Sequence, residues 1–212
     1  RYLDPSCLDD PEKIHSETNI IAVRHPLLKL PSILSVILDE RLLGIAAAYL
    51  GAFPKLTYIK AFRSHANGLP DMDTNLFHSD TGSFWILKAI IYLHEVSTST
   101  GPFVYAKGTH NRRFADDFKN ENYKLRYSEE EVAASCGSEN IVYCTGQAGD
   151  VFLAETTGFH RASKPQDDDR LAIIANYCVH EEAGFEYTPQ VIDPLSLSKL
   201  SPIQKIAIEH LA

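Results

Sequence analysis

Residues 74–96 read TNLFHSDTGSFWILKAIIYLHEV. His78 and Asp80, two apart, run directly into an almost unbroken apolar stretch. That composition predicts a strand over 83–96, buried along most of its length. If 76–80 is extended too, His78 and Asp80 share a face, about 6.5–7 Å apart along the chain. Two metal-capable side chains at that spacing can grip one ion once a third ligand arrives from elsewhere.

Outward from this stretch the strand pattern continues. KLTYIKAF (55–62) is rich in β-branched and aromatic residues, and GPFVYAKGTH (101–110) reads as turn, short strand and turn. NIVYCT (140–145), DVFLAE (150–155) and RLAIIANYCVH (170–180) add three more strands. The segment 63–75 is a polar loop, and 111–139 is a charged insertion, helical or irregular. Before the strands, PSILSVILDERLLGIAAAYL (31–50) carries apolar residues at helical spacing, opened by proline and closed by Gly51. After them, SPIQKIAIEHLA (201–212) reads as a terminal helix opened by Ser201 and Pro202. The fold class expected is mainly β with flanking helices, a sandwich or barrel rather than alternating βαβ units.

A chain of 212 residues, 44% hydrophobic, can bury one substantial core and is expected to form a single domain. Its net charge of −8 and the absence of a basic stripe argue against nucleic acid as a partner. No polybasic segment and no long apolar run point to a membrane. Cys7, Cys136, Cys144 and Cys178 form no CxxC pair, so they read as free thiols of a reducing compartment, the cytoplasm.

A His-x-Asp triplet arises by chance about as often as not in a chain with nine histidines. The third ligand therefore carries the argument. His15, His25 and His210 lie towards the ends; His65, His94, His110 and His180 occupy strand or loop positions. His160 stands in GDVFLAETTGFHRASKP (149–165), where a turn and strand lead into a Gly-Phe-His loop. A ligand from that distant segment, folded back on His78 and Asp80, would make a two-histidine, one-carboxylate face that suits non-haem Fe(II). Arg170 opens the apolar strand LAIIANYCV. A cation there is costly unless an anion meets it, and its planar fork suits a carboxylate. The competing reading is a salt bridge to Asp167, Asp168 or Asp169 immediately before it.

The ordered set FHSD, GPFVYAKGTH, GDVFLAETTGFHRASKP and the following arginine resembles the phytanoyl-CoA dioxygenase-like branch of the Fe(II)/2-oxoglutarate-dependent oxygenases, over about residues 55–180. The resemblance implies a double-stranded β-helix (jelly roll, cupin-like), with helical support over about 1–54. It implies iron ligands His78, Asp80 and His160, with Arg170 on the distal carboxylate of 2-oxoglutarate. The activity implied is O₂-dependent hydroxylation of a small molecule with release of succinate and CO₂. Thr109 stands where the family usually has serine, and Ala162 where glycine is common. Related halogenases carry a small residue at the place of Asp80, so Asp80 points to hydroxylation or desaturation.

Lys88 interrupts the apolar run on the face of Phe84, Ile86, Ile90 and Tyr92. It is expected either to contact 2-oxoglutarate or an acidic substrate, or to sit in a structural ion pair. Tyr58 and Lys60 share a face where relatives place a second cosubstrate contact; packing in the core is the alternative for Tyr58. Trp85 is read as packing, Asp167–Asp169 as a solvated loop, and His110 and Asn111 as the mouth of the site or simple turn residues. Two other functions stay open: a jelly-roll metalloenzyme that does not use 2-oxoglutarate, and a non-catalytic binding domain on the same scaffold.

Overall fold

A computed structural model describes residues 18–80, 85–110, 124–179 and 191–209. Cys7, His15, Phe84, Asn111, His180, His210 and residues 111–123 of the expected insertion lie outside the described residues.

Among the described residues, eight strands form two antiparallel sheets. Strands β1 (Ile20–Ala22), β2 (Lys55–Ser64), β3 (Ile86–Tyr92), β6 (Val151–Glu155) and β8 (Arg170–Cys178) make the larger, in the order β1-β2-β8-β3-β6. Strands β4 (Phe103–Ala106), β5 (Ile141–Cys144) and β7 (His160–Ala162) make the smaller, in the order β5-β4-β7. From β5 onwards the chain crosses between the sheets at each step. That winding is the double-stranded β-helix, or jelly roll.

Helices α1 (Pro26–Lys29), α2 (Ser32–Ile37) and α3 (Glu40–Leu50) precede the long strand β2. Helix α4 (Glu129–Cys136) lies in the second half of the expected insertion; α5 (Pro194–Ser198) and α6 (Pro202–Ile208) follow β8. The single helix expected over 31–50 is two. Asp39 breaks it, its carboxylate accepting from the backbone N–H groups of Arg41 and Leu42 as an N-cap. Apolar spacing continues across the break, which hides it from a periodicity argument.

Strands β8 and β3, in the middle of the larger sheet, are largely buried on both faces, which explains their apolar composition. The sheet's outer face (Leu56, Ile59, Ala61, Leu87, Ala89, Ile91, Ile173, Ala175 and Tyr177) packs under α1–α3 and α6. Tyr177 also donates its hydroxyl to the carbonyl of Ile37 at 2.6 Å. The inner face meets the smaller sheet through Phe62, Ile90, Tyr92, Phe103 and Ala172. Tyr92 joins the sheets: its hydroxyl donates to the Cys144 carbonyl at 2.7 Å and accepts from the Phe103 N–H at 2.9 Å.

A bulge between Leu56 and Tyr58 resets the alternation of β2. Leu56, Ile59 and Ala61 consequently face the helices, while Tyr58, Lys60, Phe62 and Ser64 face in. Register then stacks the inner residues in rows across the sheet. Tyr58, Asn176 and Lys88 form one row, Lys60, Ile174 and Ile90 the next, then Phe62, Ala172 and Tyr92, and last Ser64 and Arg170. Trp85 precedes the first ladder pair of β3 and is 55% exposed, so it is not part of the buried core.

Candidate metal centre

His78, Asp80 and His160 converge, one potential ligand atom from each lying within 4.8 Å of the others. The segment carrying the first two is extended, as expected, but belongs to neither sheet. It is pinned by Phe77 and Tyr127, which exchange backbone bonds, and by Asp80, whose N–H donates to the Thr156 carbonyl at 2.8 Å. His78 and His160 likewise exchange both backbone hydrogen bonds, at 3.0 and 2.9 Å. Directly paired residues of an antiparallel bridge project to the same side. The imidazoles accordingly lie together, centroids 4.3 Å apart.

Each imidazole is oriented in the same way. His78 Nδ1 lies 2.9 Å from the Leu76 carbonyl, and His160 Nδ1 lies 2.9 Å from the Gly158 carbonyl. A carbonyl only accepts, so Nδ1 carries the proton and Nε2 presents its lone pair to the site. Burial pushes both histidines below their usual value, keeping them neutral. Burial pushes the Asp80 carboxyl up, but the charge and hydrogen bond of the Lys88 ammonium outweigh it and hold the carboxyl well below its usual range. Asp80 Oδ2 lies 2.7 Å from Lys88 Nζ and 3.7 Å from His160 Nε2. Two neutral imidazoles and one ionised carboxylate form the donor set of a non-haem divalent metal, so the residues fit such an ion.

Arg170, the first residue of β8, is buried. One guanidinium nitrogen donates to the Ser163 carbonyl at 3.3 Å and another to the Ser64 hydroxyl at 3.1 Å; Nε has no partner among the described residues. No described carboxylate pairs with it. Asp169, one of the three acids that competed for it in the sequence, accepts instead from Arg63, pairs with His65 and takes the Ala66 N–H. Asp169 is therefore a partly buried anchor, not part of a solvated loop. Burial lowers the Arg170 guanidinium to about 10. A buried cation lacking its anion, with the Ser163 hydroxyl also unpartnered nearby, fits the carboxylate of a bound acid.

Lys88 is largely buried, and the partner the structure supplies is Asp80 itself. Tyr58 and Lys60 share the inner face by register; Tyr58 is 36% exposed, so it is not packed in the core, and Lys60 is partly buried. Thr109 replaces the expected serine without loss: its hydroxyl donates to the Ala106 carbonyl and accepts from the Phe159 N–H, both at 2.7 Å. That ties the turn before His160 to the end of β4. Sequence reading missed Ser64, Ser163 and Asn176. Ser64 was within reach through the alternation of TYIKAFRS, which places it on the face of Lys60.

No protein-family profile and no curated protein matches the chain. Solved structures do. The chain is similar to the non-heme α-ketoglutarate-dependent carbocyclase SnoK from nogalamycin biosynthesis, with a TM-score of 0.56 and 23% identity over 95% of this chain and 85% of that one. It is also similar to the epimerase SnoN of the same biosynthesis (TM-score 0.54, 16% identity, 83% and 74% covered). HygX from Streptomyces hygroscopicus, solved with nickel and 2-oxoglutarate, gives 0.53 and 16%, with 85% and 74% covered. The fold is thus the jelly roll of α-ketoglutarate-dependent non-heme enzymes.

Among the described residues no helix is long and apolar enough to cross a membrane.

Proposed function

We propose that the chain is an Fe(II)/2-oxoglutarate-dependent dioxygenase of the phytanoyl-CoA dioxygenase-like branch, hydroxylating a small molecule. The observation that carries this reading is the pairing of a complete His-Asp-His donor set with a buried arginine lacking a described carboxylate partner. A metal triad alone would suit many jelly-roll enzymes; the second feature asks for a bound acid. HygX with nickel and 2-oxoglutarate, and SnoN with Fe3+ and α-ketoglutarate, support the assignment by their fold.

His78, Asp80 and His160 hold the metal. Arg170, with Ser64 and Ser163 around it, takes the distal carboxylate of 2-oxoglutarate and sets its direction. Lys88 and Tyr58, at the two ends of one inner row, would contact the cosubstrate; Lys88 also holds Asp80 in place. Phe62, Ile90 and Phe103 exclude water from the space between the sheets. When bound, the metal with 2-oxoglutarate and O₂ would supply the oxidising chemistry, with succinate and CO₂ as by-products. The cytoplasm suits the free thiols of Cys136, Cys144 and Cys178.

Succinate formation from 2-oxoglutarate in the presence of Fe(II) tests the activity. We expect it with the natural protein and expect its loss in His78→Ala. Turnover that persists in His78→Ala would overturn the ligand assignment, and substrate oxidation without 2-oxoglutarate would favour the cosubstrate-independent metalloenzyme.

A further inference from the structure

The space between the sheets is charged against the trend of the molecule. The whole chain carries −8, yet the described inner residues around the metal site bring three cations, Lys60, Lys88 and Arg170, and one carboxylate, Asp80. In the reading above a divalent metal and a dianionic cosubstrate cancel, so two positive charges stay in excess. Lys88 is held by Asp80, and Arg170 is assigned to 2-oxoglutarate. Lys60 is left.

Lys60 lies in the middle of the inner face, one row from Lys88, its ammonium 5.1 Å from the centroid of the Phe62 ring. The Arg170 guanidinium lies 5.7 Å from the centroid of the same ring. No described carboxylate pairs with Lys60. Asp73 acts on it only through space and is itself paired with Arg126. Burial pushes the ammonium below its usual value, and the charges of Lys88 and Arg170 push it further. An anion beside Lys60 would offset all three effects. In the neighbouring row, Asn176 is buried with its side-chain oxygen lacking a partner among the described residues, a second polar group facing in.

We propose that Lys60 forms the subsite for an oxyanion, a carboxylate or a phosphate, on the molecule that is oxidised. The substrate class is then a small organic acid. Ile90 and Ile174 of the Lys60 row, with Phe62 of the next, would pack its hydrocarbon part.

This inference rests on the metal and 2-oxoglutarate reading, and the experiment separates the two. Protein saturated with Mn(II) and 2-oxoglutarate under nitrogen is mixed with butyrate, butyramide or inorganic phosphate. Paramagnetic relaxation of probe nuclei then reports weak binding close to the metal. Failure to bind 2-oxoglutarate at the start would overturn the reading of the site, and the inference with it. With 2-oxoglutarate bound, we expect relaxation of butyrate at least about fivefold above that of butyramide. We expect this preference to vanish in Lys60→Met, return in Lys60→Arg, and leave the 2-oxoglutarate dissociation constant within about twofold. An equal effect of phosphate assigns a general oxyanion site, and an effect of butyrate alone assigns a carboxylate site. Equal relaxation of acid and amide, or a preference that survives Lys60→Met, would overturn the proposal. So would a tenfold loss of 2-oxoglutarate affinity in Lys60→Met, which would make Lys60 a cosubstrate contact.

Discussion

His78 and His160, far apart in sequence, exchange both of their backbone hydrogen bonds. Two of the three proposed ligands are thus set by the backbone itself, before any ion arrives, and each ring is turned by a carbonyl two residues earlier. Gly158 provides one of those carbonyls, and a Cβ there would run into the Tyr105 hydroxyl and press on the His110 backbone nitrogen at 3.0 Å, so something must shift. Gly158→Ala should displace the turn that aims His160. We expect metal affinity to fall about ten- to a hundredfold, the usual cost of disturbing the groups that orient a ligand. Calorimetric titration with a divalent ion measures this, with circular dichroism confirming an intact fold.

Lys88 and Asp80 form a partly buried pair, their side chains 14% and 24% exposed. Lys88→Met leaves the carboxylate without its cation. The metal-free protein should lose about 2–3 kcal/mol, since breaking such a pair strands a charge in a poor solvent. A divalent ion replaces the missing cation and no longer meets a repelling ammonium. The rise in Tm on adding Mn(II) should therefore be larger in Lys88→Met than in the natural protein. Thermal unfolding with and without the metal decides it; an unchanged metal-free stability would show that the pair contributes little.

Asp169 fastens β8 to the loop after β2. Burial raises its carboxyl, but the Ala66 N–H, His65 and Arg63 outweigh that and bring it from 3.8 to about 2. A folded value below the unfolded one stabilises the protein fully above about pH 5, and this contribution fades as pH falls towards 2. Its size is about 1–2 kcal/mol after allowance for solvent screening around the exposed Arg63. Asp169→Asn should cost that much at neutral pH, and the gap between the two proteins should close between pH 5 and pH 2. Urea unfolding across that range checks it.

Much of the site could be read from residue order, because its pieces are local: His-x-Asp in one extended segment and Gly-Phe-His in one turn. The strands were legible from their apolar runs, though β2 reaches Ser64 rather than Phe62 and β3 spans only Ile86–Tyr92. What stayed hidden depends on register. The Lys88–Asp80 pair and the rows that set Lys60 facing in follow from ladders between distant strands and from the bulge after Leu56. Arg170 shows the same limit: three adjacent aspartates offered it a partner, and only the fold sends Asp169 elsewhere.

Arg170 separates a 2-oxoglutarate enzyme from the other uses of this scaffold. Its guanidinium is buried without a described carboxylate, so Arg170→Met should leave metal-free stability within about 1 kcal/mol of the natural protein, or raise it, since a costly buried charge is removed. Fe(II)-loaded protein titrated with 2-oxoglutarate in the absence of oxygen should develop the weak visible charge-transfer band of the chelate. In Arg170→Met the dissociation constant read from that band should rise at least about thirtyfold, the loss expected for a buried charge-assisted contact. Absence of the band in protein shown to hold iron, or equal affinity in the two proteins, would contradict the assignment of Arg170 to 2-oxoglutarate.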